Sequence, residues 1–121
     1  MANILIIDDE PQIRLLLRNI FESEGYSVTE ASDGNEGLTL YDDNKVDLIL
    51  MDLYMPDKEG LETINELKKA YPEIKIIAMS GGGGQGRPDN QLNSAKMLGA
   101  VAAFEKPVRN EVLLKTVREL I

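Results

Sequence analysis

Five side chains able to do chemistry stand where apolar runs stop. Ile4-Leu5-Ile6-Ile7 ends abruptly in Asp8-Asp9-Glu10. The run from Val46 to Leu53 carries Asp52 near its exit, the run from Ile74 to Met79 leads into Ser80, and the run from Val101 to Glu105 leads into Lys106-Pro107. If the first and third runs lie side by side, three carboxylates converge. At about 5 Å and an effective dielectric near 20, each pair repels by about 3 kcal/mol. A hard divalent cation that takes oxygen ligands, Mg²⁺ or Mn²⁺, neutralises such a cluster, and Lys106 adds a fixed positive charge. One aspartate at the end of a strand is ordinarily a solvated loop residue. Three acids, a hydroxyl and an amine gathered at strand ends read as a site.

Two periodicities alternate along the chain and supply the elements that would hold this cluster. The continuous apolar run at Ile4-Ile7 is that of a strand buried on both faces. Ile13, Leu16, Leu17, Ile20 and Phe21 then form one stripe of an amphipathic helix, with Pro11 in its first turn and Gly25 at its stop. Tyr26 to Ala31 alternates as a second strand. A weaker helix from about Asn35 to Asn44, interrupted by Gly37, leads to the third strand, Val46 to Leu53. Leu61, Ile64 and Leu67 mark a third helix closed by Tyr71-Pro72. A fourth strand (Ile74 to Met79), a glycine-rich loop, a short helix around Leu92 to Leu98, a fifth strand (Val101 to Glu105) and a last helix through Val112, Leu113, Val117 and Leu120, capped by Asn110, complete the chain. Five strands each followed by a helix predict an α/β fold, a doubly wound parallel sheet with helices on both faces. In such sheets functional groups collect at the carboxyl ends of the strands.

Composition narrows the chemistry. The 121 residues read as one domain over 1–121, with 13 basic and 21 acidic side chains and a net charge of −8. No histidine and no cysteine are present, which removes a Ser-His-Asp triad, imidazole or thiolate metal sites, a phosphohistidine and any disulfide framework. The acidic balance argues against direct binding of nucleic acid. No apolar run approaches the roughly 20 residues of a membrane span, so no membrane insertion is expected. Met-Ala-Asn-Ile-Leu-Ile-Ile lacks the basic start of a signal peptide. The expected location is cytoplasmic.

The run Ile6-Ile7-Asp8-Asp9-Glu10, then Leu48-Ile49-Leu50-Met51-Asp52-Leu53-Tyr54-Met55-Pro56 with Gly60, then Ser80, then Lys106-Pro107 resembles the receiver domain of two-component response regulators over the whole chain. The resemblance implies a flavodoxin-like (βα)5 fold with strand order 2-1-3-4-5. It implies that Asp52 accepts a phosphoryl group from a histidine kinase or histidine phosphotransfer protein. Asp9, Asp52 and the main-chain carbonyl of Tyr54 would ligate Mg²⁺ (or Mn²⁺), with Asp8 acting through water. Ser80, Gly81 and Lys106 would bind phosphoryl oxygens and form the switch, and the Lys106-Pro107 bond would be cis. A carboxylate is already ionised at neutral pH, so phosphoryl transfer to it needs no general base, only in-line positioning and charge neutralisation. The implied role is that of a signalling phosphoacceptor and not an enzyme. Its output would pass to a downstream target or an effector domain, and weak self-association into a homodimer stays open.

Two departures from the family pattern stand out. The aromatic usually found three residues before the lysine is replaced by Ala103, and Phe104 follows one residue later. Side chains alternate faces along a strand, so Phe104 is expected in the core or on a partner surface and not at the site. The loop Ser80-Gly81-Gly82-Gly83-Gly84-Gln85-Gly86-Arg87-Pro88 is longer than is usual for the family. Gly81, Gly83 and Gly86 formally satisfy a G-x-G-x-x-G fingerprint, but Pro88 falls in the helix that would have to receive the phosphates. A loop ordered by phosphorylation is the expected reading. Tyr54 is expected near the pocket mouth. Two rivals remain: a pseudo-receiver that is never phosphorylated, which the intact Asp8, Asp9, Asp52, Ser80 and Lys106 speak against and Ala103 keeps open, and a metal-dependent phosphohydrolase working through an aspartyl phosphate. The latter would need an acid two residues after the nucleophile, where Tyr54 stands.

Overall fold

Ile4-Leu5-Ile6-Ile7 is apolar throughout because both sides of the strand are covered. The computed structural model describes residues 2–43, 45–53, 59–80, 90–106 and 108–121. In it, β1 (Asn3–Ile7), β2 (Ser27–Ala31), β3 (Leu48–Asp52), β4 (Ile76–Ser80) and β5 (Ala102–Glu105) form one sheet of order β2-β1-β3-β4-β5. Every pairing is parallel. The helices are α1 (Pro11–Ser23), α2 (Gly34–Asp43), α3 (Glu59–Ala70), α4 (Asn90–Leu98) and α5 (Asn110–Leu120). Leu5, Ile7, Ile49, Met51, Ile76 and Ala78 pack on one face with Ile64 and Leu67 of α3 and Ala95 of α4. Ile4, Ile6, Leu48, Leu50, Ile77 and Met79 pack on the other with Leu17 and Phe21 of α1 and Leu113 and Val117 of α5. At roughly 25 cal/mol per Å² of apolar area, this two-sided burial is the main force holding the strand ends in register.

Sequence punctuation explains several helix ends. Pro11 opens α1, where its missing N–H is not needed. At the other end the Gly25 N–H donates to the Glu22 carbonyl and the Tyr26 N–H to the Phe21 carbonyl. That paired closure needs a left-handed residue, and Gly25 supplies it at φ 92°. Gly99, at φ 117°, ends α4 with the same pair of bonds.

Some expectations require correction. Gly37 does not interrupt α2; the helix runs through it. A Cβ there would lie 2.4 Å from Ile7 Cδ1, so the glycine serves close packing of α2 on β1. Asn110 is not the cap of α5. Arg109 occupies that place with extended backbone, no side chain caps the helix, and Asn110 is the first helical residue. Strands β2, β3 and β5 start one or two residues later than the apolar runs suggest. Ile74 belongs to a turn in which its N–H donates to the Tyr71 carbonyl, so β4 begins at Ile76 and extends to Ser80.

On β5 the alternation falls as expected. Phe104 packs into the α1/α5 core, and Ala103 faces the opposite cluster, with α3 and α4.

Candidate functional site

The sheet ladder brings the polar strand ends together. Ile7 pairs with Met51 and Asp52 with Met79, so Asp8, Asp52 and Ser80 leave three adjacent strands at nearly one level. Asp8 is fixed by its own N–H, which donates to the Ala31 carbonyl of β2 at 3.1 Å. Its Oδ1 accepts the Glu10 N–H at 2.9 Å. Past β5, the Lys106 N–H donates to the Ser80 carbonyl at 2.6 Å. That bond aims the lysine stem back over the sheet.

Carboxylate oxygens of Asp8, Asp9 and Asp52 all lie within 4.8 Å of one another. Lys106 Nζ stands 3.3 Å from Asp52 Oδ1 and 3.6 Å from Asp8 Oδ2. Asp8, Asp52 and Ser80 are 1–2% exposed, while Asp9 is half-buried. Two buried oxygens, Asp8 Oδ2 and Ser80 Oγ, have no hydrogen-bond partner among the described residues. Buried oxygens without a hydrogen bond are costly in a native interior and require an explanation, and a bound ion or ligand is one. Ligands on opposite sides of Mg²⁺ stand about 4.2 Å apart, so this donor set fits an octahedral cation bound directly and through water.

Residues 4–118 match the family model for the response regulator receiver domain. The chain belongs to that family. This receiver is 34% identical to Sporulation initiation phosphotransferase F of Bacillus subtilis over 104 residues, 86% of this chain and 81% of that protein. It is 33% identical to the transcriptional regulatory protein CpxR of Klebsiella pneumoniae over 121 residues, which is all of this chain but only 50% of that relative. Among solved structures, the chemotaxis protein CheY4 of Vibrio cholerae superposes with a TM-score of 0.88 at 28% identity, covering 100% of this chain and 99% of that one. The response regulator protein TrrA of Thermotoga maritima, solved in complex with Mg(2+)-BeF, gives 0.84 at 31% identity, with both chains fully covered. These likenesses agree with the observed strand order of the receiver fold. No helix among the described residues is long and apolar enough to cross a membrane.

The receiver's described residues thus bring together Asp8, Asp9, Asp52 and Lys106 by direct distances, with Ser80 on the neighbouring strand. The expectations for the Tyr54 carbonyl and side chain, for Gly81 and the rest of the loop to Pro88, and for a cis bond at Pro107 lie outside the described residues. Sequence reasoning misses Arg14. Its Nη1 donates to the Asp8 carbonyl at 2.6 Å and its Nε to Glu30 Oε1 at 3.0 Å. One signal for it exists: a cation near the start of α1, where the helix dipole disfavours it, and no acid in the first turn.

Burial pushes the Asp8 carboxyl above the usual aspartate range, aided by Asp9 and Glu10 and opposed by the Glu10 N–H and by Lys106. The unfolded value is about 3.9. Between that value and the raised folded one the native state holds more protons than the unfolded chain, so Asp8 makes the metal-free fold more stable as pH falls. Asp8→Asn removes the titrating group while its amide oxygen can still accept the Glu10 N–H. In chelator, urea unfolding should find Asp8→Asn the more stable protein at pH 7, with its advantage shrinking on acidification. Parallel stability profiles for the two proteins would contradict the upward shift of Asp8.

Proposed function

We propose that this receiver takes a phosphoryl group on Asp52 from a histidine kinase or histidine phosphotransfer protein, in a Mg²⁺-dependent reaction, and changes its protein contacts as a result. The observation that carries this reading is Lys106 Nζ lying 3.3 Å from Asp52 Oδ1 at the rim of the acid cluster. An Asp52 oxygen forms the new O–P bond as the donor's P–N bond breaks. The leaving pair stays on the donor imidazole, which recovers a proton from solvent. A carboxylate nucleophile such as Asp52 carries no proton that a general base would have to remove. Lys106 is placed to neutralise the charge of the incoming phosphoryl oxygens, and Ser80 Oγ has hydrogen-bonding capacity to give them. Asp8, Asp9 and Asp52 would hold Mg²⁺, which supplies further neutralisation of the same oxygens when bound; the Mg(2+)-BeF complex of TrrA supports a cation here.

A protein donor is supported by the surface beside the site. Ile13, Leu16, Leu17, Val108 and Leu113 line a groove of about 380 Å³ between α1 and α5 that reaches Lys106, and Leu16 is 56% exposed. One domain spanning 1–121, acting as a signalling module and not as a turnover enzyme, is part of the same reading.

The test is intact mass after incubation with Mg²⁺ and a small acyl-phosphate donor, followed by incubation with a candidate phosphohistidine protein. One phosphoryl group should be gained, blocked by chelator and mapped to Asp52 by trapping the acyl phosphate. No gain from either donor would favour the pseudo-receiver that Ala103 keeps open.

A further inference from the structure

The acid pair at the end of β1 is carried by a peptide that the sheet alone does not fix. Asp8 still donates to β2, but the pairing of β1 with β3 ends at Ile7 and Met51. The carbonyl of Asp8 belongs to the planar group that also contains the nitrogen and Cα of Asp9. Whatever holds that carbonyl sets the direction in which the Asp9 side chain leaves. The holder is Arg14 Nη1, at 2.6 Å.

Arg14 is itself held. Glu30 of β2 takes the Arg14 Nε on Oε1 at 3.0 Å and the Arg18 Nη1 on Oε2 at 2.7 Å. Arg18 is braced in turn by Glu22 at 3.1 Å. The side chain of Arg14 is 16% exposed, and its flat guanidinium fork can serve a carboxylate and a carbonyl at once, which an ammonium on a flexible stem does less well.

We infer that Arg14 is a positioning residue for the cation-binding acids, acting through the Asp8–Asp9 peptide, with Glu30 as its anchor on β2. Outer partners of this kind typically change metal affinity 10–100-fold when removed. The inference rests on the acid cluster binding Mg²⁺, as proposed above. It also opposes simple electrostatics, because removing a positive charge near a cation site should tighten cation binding.

The experiment is calorimetric titration with Mg²⁺ of the wild type, Arg14→Met, Arg14→Gln and Arg14→Lys, beside urea unfolding of each in chelator. Arg14→Met and Arg14→Gln should bind Mg²⁺ about tenfold more weakly, with the unfolding midpoint little changed, because the ion pairs lost are partly exposed. Arg14→Lys, which keeps the charge and one donor for the carbonyl, should recover part of the affinity. Equal or tighter binding in the folded neutral variants would overturn the role of Arg14 while leaving the metal site standing. A wild type that binds no Mg²⁺ would overturn the reading of the acid cluster and this inference with it. If Arg14→Met fails to fold, Arg14→Gln and Arg14→Lys decide the matter on the same scale.

Discussion

Asp52→Asn is expected to abolish phosphoryl uptake and, in the same protein, to raise the stability of the metal-free fold. The first effect follows from chemistry. An amide oxygen at this position is a poor nucleophile, and losing the group that forms the covalent bond should cost at least about 10³-fold. The second follows from charge. With oxygens of Asp8 and Asp9 within 4.8 Å, Asp52 is repelled by about 3 kcal/mol from each at an effective dielectric near 20. Lys106 at 3.3 Å returns about 5 kcal/mol on the same scale. Neutralising Asp52 therefore relieves more repulsion than it loses attraction, and Lys106 keeps Asp8 as a partner. A gain on the order of 1–2 kcal/mol corresponds to a Tm several degrees higher in chelator. Added Mg²⁺ should narrow the difference, since the cation stabilises the wild type and has lost a ligand in the variant. Mass spectrometry and thermal unfolding check the two halves separately. A variant that melts below the wild type in chelator would mean that Asp52 is not under electrostatic strain.

The contrast between apolar strands and charged strand ends is what makes so much of the site legible in the amino-acid sequence. A strand covered on both faces must be apolar at every position, so Ile4-Ile7, Leu48-Met51 and Ile76-Met79 show plainly against their surroundings. The first polar residue after such a run must lie at the sheet's carboxyl edge, which is how Asp8, Asp52 and Ser80 show as neighbours once the strand order is known. Alternation on β5 likewise separates Ala103 from Phe104.

What the sequence hides has a different physical character. Arg14 reaches a main-chain carbonyl, and a carbonyl carries no residue-type signature for its partner. Glu30 lies in a strand whose outer side is partly exposed, where a charged residue draws no notice until Arg14 and Arg18 are placed around it. Gly37 reads as a helix breaker because its real constraint, the Ile7 side chain 2.4 Å from where a Cβ would be, comes from another element. The cap of α5 falls on Arg109 and not on Asn110, and because no side chain caps that helix, residue type does not mark its start.

Lys106→Met should act in the opposite sense on stability and in the same sense on chemistry. The thioether chain keeps most of the stem's apolar contact but leaves three acids without the ammonium. Removing one partner of a buried charge pair is strongly destabilising, by about 3–5 kcal/mol in fully buried cases. Lys106 is 26% exposed, which screens part of this, so a loss of about 2 kcal/mol in chelator is expected. Mg²⁺ supplies the missing positive charge, and the variant should therefore gain more stability from Mg²⁺ than the wild type does. Phosphoryl uptake should still fall about 10²–10³-fold at saturating Mg²⁺, the typical cost of removing one group aimed at the charge that develops in transfer. The double variant Lys106→Met/Asp52→Asn carries the sharpest expectation. The two single changes each lose the Lys106–Asp52 attraction but the double variant loses it only once, so in chelator it should be clearly more stable than the sum of the single changes, which by itself lies close to wild type. Additive changes in unfolding free energy would show that Lys106 and Asp52 do not act on one another, despite standing 3.3 Å apart.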